Sequence, residues 1–189
     1  MIRIAITPPD IIDRVEARNI ATILDAGWDR VHLRHPGASV ADVRRILDDV
    51  PLRLHNRIVL HGHFDLVNDY NLGGLHLNRR CPAPPALYRG ALSMSCHSVD
   101  EALSMAAKMT YVTLSPIFDS VSKAGYTAAF SPEELGRVAQ ADNVIALGGV
   151  APARIKEVAG MGFAGYAVLG SIPWGASQEE LISRLKEFE

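Results

Sequence analysis

Two stretches in the last third of the chain share one form. Asn143-Val144-Ile145-Ala146-Leu147 runs into Gly148-Gly149-Val150, and Gly165-Tyr166-Ala167-Val168-Leu169 runs into Gly170-Ser171-Ile172. Each is a short apolar run that stops at glycine. A run apolar at both parities suits a parallel strand covered on both faces. Between the two, Pro152 to Gly160 sets Ile155, Val158 and Ala159 on one helical face. Strand, glycine turn, helix, strand, glycine turn is the closing pattern of a (β/α)8 barrel. In such barrels the loops after strands seven and eight form a frequent phosphate site. Glycine lets backbone N–H groups come close to an anion. Gly148, Gly149, Gly170 and Ser171 are therefore candidate phosphate contacts, and a helical turn starting at Ser171 would add a positive end.

The rest of the chain repeats the unit. Alternation predicts strands at Arg3–Thr7, Asp29–Arg34, Arg57–Leu60, Gly74–Leu77, Ala91–Ser95 and Tyr111–Leu114. Helices are predicted from an Asp10 cap to about Ala26, from a Ser39 cap to about Asp49, over Phe64–Asn71, and from a Ser98 cap to about Met109. Ser131-Pro132-Glu133-Glu134 opens another, with proline and acids in the first turn, and Ser177–Phe188 closes the chain. Residues 78–90 read as loop with at most one helical turn. Eight strands alternating with helices at near-even spacing predict an α/β chain, a TIM barrel occupying residues 1–189 as one domain. At 189 residues its helices and loops must be trimmed.

Bulk properties exclude several function classes. A net charge of −2 with no basic stripe argues against nucleic acid as a partner. No apolar run approaches the roughly 20 residues needed to span a bilayer. Met1 to Thr7 leads straight into a strand, and Cys81 and Cys96 lack metal spacing, so a cytoplasmic protein with reduced thiols is expected.

Function in a barrel sits at the carboxyl ends of the strands. The residues falling there include His32, Arg34, His61, His76, Arg79, Arg80, Ser95 and His97. Alternation puts His32 with Arg34, and Ser95 with His97, on single faces. Three readings of the histidines compete. A zinc site would draw on His35, His61 or His63, and His76, but no carboxylate accompanies them, and no metal is expected. Hydrogen-bonded or surface roles suit His35, His55 and His63. Proton transfer suits His97, then His32 and His76, since imidazole titrates nearest neutrality. The loop after strand six offers Ser120, Ser122 and Lys123 to the oxygens of a phosphate ester.

These residues resemble a known family. His32-Leu33-Arg34, Gly74-Leu75-His76-Leu77, Ser95-Cys96-His97-Ser98, Ser115-Pro116-Ile117-Phe118, Ser120-Val121-Ser122-Lys123, Ala146-Leu147-Gly148-Gly149-Val150 and Gly165-Tyr166-Ala167-Val168 fall in the order found in the thiamine phosphate synthase and thiazole tautomerase (TenI) family. The resemblance implies a barrel enzyme of thiamine biosynthesis that acts on a small-molecule thiazole phosphate, with a homodimer as a compatible assembly. The synthase joins hydroxymethylpyrimidine diphosphate to thiazole phosphate and uses Mg2+, held by aspartates where this chain has Gly62 and Cys81; it also carries a lysine where this chain has His35-Pro36. The tautomerase shifts a proton to aromatise a thiazole carboxylate phosphate, needs no cofactor, has glycine at the position of Gly62, and carries a histidine matching His97. On these residues the tautomerase is the leading expectation, with the synthase and a non-catalytic thiazole phosphate binder as alternatives. Arg79-Arg80 matches neither enzyme. It is assigned to a diphosphate or a carboxylate.

Overall fold

The structure, a computed structural model, describes residues 1–119 and 129–189. The loop candidates Ser120, Ser122 and Lys123 lie outside the described residues. Eight strands close into one barrel in chain order: β1 (Ile2–Ile6), β2 (Arg30–Leu33), β3 (Ile58–Leu60), β4 (Gly74–Leu77), β5 (Leu92–Cys96), β6 (Tyr111–Leu114), β7 (Val144–Leu147) and β8 (Gly165–Val168). Every neighbouring pair is parallel, including the closing pair of β1 and β8. The (β/α)8 architecture read from the sequence is the one observed.

The helices are α1 (Glu16–Asp25), α2 (Val40–Asp49), α3 (Val99–Ala106), α4 (Pro132–Gly136), α5 (Ile155–Gly160) and α6 (Gln178–Lys186). Serine caps start four of them. Ser39 and Ser131 form reciprocal capping boxes with Asp42 and Glu134, and Ser98 and Ser177 accept from the N–H groups of Glu101 and Glu180. The orphan N–H groups of a first turn are met this way. The predicted Asp10 cap fails. Arg14 takes a left-handed φ of 62°, which interrupts a helix, and α1 begins at Glu16, whose carboxylate accepts from the Ile12 N–H at 2.9 Å. Phe64–Asn71 shortens to a 3-10 segment at Phe64–Asn68. Residues 78–90 contain no helix; Asn78 and Cys81 instead form an isolated antiparallel bridge. Among the described residues no helix is long and apolar enough to cross a membrane.

Strand parity sorts side chains into two cores. Val31, Leu33, Leu75, Leu77, Val112, Leu114 and Val144 point out against the helices, where Trp28 meets the edges of Tyr166 and Phe188. Ile4, Ile6, Tyr111, Ile145 and Ala167 fill the barrel interior from β1, β6, β7 and β8. The interior positions of β2, β4 and β5 are polar: His32, His76 and Ser93 are buried there.

Candidate functional site

The polar half of the interior is a hydrogen-bonded network. His32 Nε2 lies 2.6 Å from the Tyr111 hydroxyl, and His32 Nδ1 lies 2.7 Å from Nε2 of His61, just past the end of β3. His76 bonds Ser93 through Nδ1 and Ser95 through Nε2, both at 2.8 Å. Burial holds His32 and His61 well below the ordinary imidazole value, and holds His76 down at about 3. For His61 the neighbouring cations, Arg34 and Arg80 among them, act in the same direction. The three rings are therefore neutral near pH 7. Charging them would require desolvating an imidazolium. Burial also pushes the Tyr111 hydroxyl up to about 12.

Above this network a cavity of about 510 Å3 opens at the carboxyl ends of the strands. His61, His76, Ser95 and Thr113 reach it from below. Thr113 Oγ1 is buried without a hydrogen-bond partner among the described residues, so a polar donor and acceptor faces the cavity floor unused. Arg34, Arg79 and Arg80 line the cavity from the ends of β2 and β4, and Gly148, Gly149, Gly170 and Ser171 line it from β7 and β8. In the closed strand order β4 and β8 stand across the barrel from one another. None of the three arginines forms an ion pair among the described residues. Arg34 holds its proton less tightly than usual, first through burial and then through the charge of Arg80.

Local sequence explains each wall. Asn78 accepts from the N–H groups of Arg80 and Cys81 at 3.0 and 3.2 Å and donates to the carbonyls of His61 and His76 at 2.9 and 3.0 Å. One amide thus ties the arginine turn to the ends of β3 and β4. On the other wall Gly148 and Gly149 have φ of 93° and 65°, a region open mainly to glycine. They also lie against the loop after β6: a Cβ on Gly149 would sit 2.3 Å from the Asp119 carbonyl oxygen and 2.7 Å from Phe118 Cβ. These glycines therefore have a packing role besides any ligand role. The helical turn expected at Ser171 is a single hydrogen-bonded turn, Ile172 N–H to Leu169 O at 3.3 Å, and the next helix is α6. Its dipole cannot contribute at Ser171. The Ser171 hydroxyl donates to the Val150 carbonyl at 2.7 Å, joining the two glycine loops.

The histidines divide differently from the expected zinc set. His35 is buried 2.5 Å from Glu16 Oε1, with Thr7 Oγ1 at 3.4 Å, and takes no part in the central cluster. His32 takes its place beside His61 and His76. His55 Nε2 lies within bonding distance of the carbonyls of Leu47 and Val50, and His63 Nε2 of that of Ala38. His97 sits exposed on the cavity rim, its N–H donating to Glu101 at 2.8 Å and its Nδ1 3.3 Å from the Ser115 carbonyl oxygen. Sequence reasoning passed over Tyr111, Ser93 and Thr113, and placed Asn78 at the mouth without a role. Tyr111 and Thr113 share the inward parity of β6, as Ser93 and Ser95 do on β5, and that spacing was the available signal.

The donor chemistry does not suit Mg2+. A hard cation wants oxygen ligands, and among the described residues no carboxylate lines this cavity or the smaller one of about 270 Å3 beside it, where Gly62 and Cys81 lie with Arg34, His35, His63 and Arg80.

A barrel closed in strand order, its cavity at the carboxyl ends and glycine ends of β7 and β8 in the wall, defines the class: a (β/α)8 barrel with its site where this fold places catalysis and phosphate binding. Residues 4–172 match the family described as Thiamine monophosphate synthase, and the chain belongs to that family. A thiamine phosphate pyrophosphorylase from Bacteroides thetaiotaomicron is similar in structure, with a TM-score of 0.85 and 32% identity, covering 100% of this chain and 97% of that one. The Thiamine biosynthesis bifunctional protein ThiM/ThiE of Symbiobacterium thermophilum is 24% identical over 181 residues, 88% of this chain and 35% of that protein. The Thiamine-phosphate synthase of Salinibacter ruber is 24% identical over 139 residues, 68% of this chain and 60% of that protein. The chain thus spans about a third and three-fifths of these two relatives.

Proposed function

We propose that this chain is a transferase of the thiamine phosphate synthase type, joining a pyrimidine diphosphate ester to thiazole phosphate. The observation that carries the reading is one cavity lined both by the glycine loops of β7 and β8 and by Arg34, Arg79 and Arg80, two groups whose chemistry suits anions. The thiazole phosphate is assigned to the backbone of the loops and the diphosphate to the arginines. When the carbon–oxygen bond to the diphosphate breaks, the leaving group takes the electron pair and its negative charge grows. Guanidinium groups oriented towards it stabilise that charge. The likeness to a pyrophosphorylase at 32% identity over the whole chain supports the same reading over the proton-shift chemistry expected from the sequence.

The tautomerase remains a second reading, favoured by one observation: His97 stands on the rim of a cavity that no carboxylate lines among the described residues. The arginines would then hold the substrate carboxylate and His97 would move the proton, with His32 and His76 behind it. Two assays decide. Purified protein is given both synthase substrates with and without Mg2+, and separately the thiazole tautomer. Thiamine phosphate formation supports the transferase. Aromatisation alone, lost in His97→Asn, replaces it with the tautomerase. Thiazole phosphate binding without either product leaves a binder.

A further inference from the structure

β2, the end of β3 and β4 bring three imidazoles together. One ring nitrogen from each of His32, His61 and His76 lies within 4.8 Å of the others. The far nitrogens of two rings are held from behind, His32 Nε2 at 2.6 Å from the Tyr111 hydroxyl and His76 Nδ1 at 2.8 Å from Ser93. Histidine ligands of metal ions are oriented by such partners on their other nitrogen. The near nitrogens, His32 Nδ1 and His76 Nε2, are turned to His61 and Ser95, both of which line the mouth cavity.

The geometry points to a transition-metal site in which His32, His61 and His76 supply three imidazole ligands to one Zn2+, Co2+ or Ni2+ ion, with its remaining position open to the cavity. Neutral imidazole is the ligating form, and it suits these borderline cations as it does not suit Mg2+. His32 Nδ1 and His61 Nε2 lie 2.7 Å apart with one ring N–H between them, and the cation would replace that proton. Tetrahedral ligands at about 2.0–2.1 Å from zinc stand about 3.3 Å apart, so this pair must spread by roughly half an ångström. His61 must also turn out of its stack on His76, where the rings lie 4.1 Å apart at 15°, because a metal sits in the plane of each ligand ring. His61 is the half-buried member of the three, and the space beside the adjacent Gly62 is open. The missing carboxylate and the nearby Arg34 and Arg80 work against any cation, so micromolar rather than structural-zinc affinity is expected.

The site opens into the cavity assigned to the substrates, and its test needs no turnover. Chelator-stripped protein is titrated with Co2+ in a non-coordinating buffer. One equivalent should bind with visible ligand-field bands, be displaced by Zn2+ and be indifferent to Mg2+. His61→Ala trims a half-buried ring and should abolish the bands, while His63→Ala should keep them. Variants of His32 and His76 open the barrel interior, so their part is read in the unmutated protein from 15N-labelled histidine NMR: Zn2+ should move the ring nitrogens of these three and leave the other four histidines in place. No Co2+ or Zn2+ binding below millimolar concentration, unchanged binding in His61→Ala, or zinc shifts confined to other histidines would overturn the assignment.

Discussion

Replacing Gly149 with alanine separates what the glycine loops do for the fold from what they do for a ligand. Gly149 has φ of +65°, and an L-residue in the left-handed region costs about 1–2 kcal/mol. The new methyl would lie 2.3 Å from the Asp119 carbonyl oxygen, 2.7 Å from Phe118 Cβ and 2.8 Å from the Phe118 carbonyl carbon. Two of those atoms are backbone, so the segment after β6 must shift, and overpacking of this kind costs about 1–3 kcal/mol. Together the loss is about 2–5 kcal/mol, and at about 2–4 °C per kcal/mol for a chain of this size it lowers Tm by roughly 4–20 °C. A bulkier residue at Gly149 would damage the loop further and would not report on binding alone. Gly175→Ala is the control, since its Cβ meets nothing within 4 Å.

The assay is thermal unfolding of both variants and the parent, with and without thiazole phosphate. A ligand present at 100 times its Kd protects by about 2.7 kcal/mol. Gly149→Ala should lose stability and also lose that protection, because the displaced loop carries the N–H groups assigned to the phosphate. Gly149→Ala as stable as Gly175→Ala would refute the steric reasoning. A destabilised variant that keeps full protection would leave Gly149 a packing residue and move the phosphate elsewhere.

Three further outcomes are expected. Without metal, stability should fall as pH drops below about 6.5, the unfolded histidine value, towards 3: above 6.5 neither state takes up protons at His32, His61 and His76, and below it the unfolded chain does while burial keeps the folded rings neutral; urea unfolding at stepped pH checks this. Glu16→Ala removes a buried acceptor of the Ile12 N–H and the partner of His35 at 2.5 Å, and should cost about 1–3 kcal/mol in denaturant unfolding, the cost of leaving a buried hydrogen-bonding group without its partner. Native protein should alkylate at Cys81 alone, since Cys96 is fully buried and its thiol is pushed up to about 12 by burial and then by Glu101; two modified thiols before unfolding, seen by mass spectrometry, would contradict the packing behind β5.

The barrel was legible because its signals are local and repeated. Gly74–Leu77 and Tyr111–Leu114 have the predicted bounds, and the predicted serine caps at Ser39, Ser98 and Ser131 are all in use, because the apolar runs and the oxygen three residues ahead of a free N–H are both written in short windows. The end of the first loop was not legible. The left-handed Arg14 that breaks the predicted helix and the burial of Glu16 against His35, 19 positions away, leave no mark in the local pattern. The glycine ends were located correctly, but their contact with Phe118 and Asp119 comes from the loop after β6, which no pattern in 143–150 encodes. The histidine cluster shows the same limit. The zinc set read from the sequence held His61 and His76 together with His35, whereas the cluster keeps the first two and sets His32 of β2 in the place of His35. Only the stagger of the closed sheet decides which residue beyond a strand end faces the axis.

The interior of a parallel barrel is ordinarily filled with branched apolar side chains, and Ile4, Ile6 and Ile145 show that one half of this barrel follows the rule. The other half sets His32, His76, Ser93 and Ser95 in their place. A buried polar group is costly unless hydrogen-bonded, and a partly satisfied network is worse than an apolar one. The four hydrogen bonds at 2.6–2.8 Å among the histidines, Tyr111, Ser93 and Ser95 offset that cost, but leucines would meet the needs of stability more simply. Departures of this kind concentrate where function demands them. Charge is then divided by depth. Arg34, Arg79 and Arg80 carry it at the rim, where the proposed diphosphate would arrive from water, while the floor is kept neutral by burial and offers nitrogen lone pairs and hydroxyls. An imidazolium on that floor would repel the same arginines. The neutrality of the floor therefore lets Arg34, Arg79 and Arg80 stand above it without an ion-pair partner among the described residues, as the proposed anion site requires.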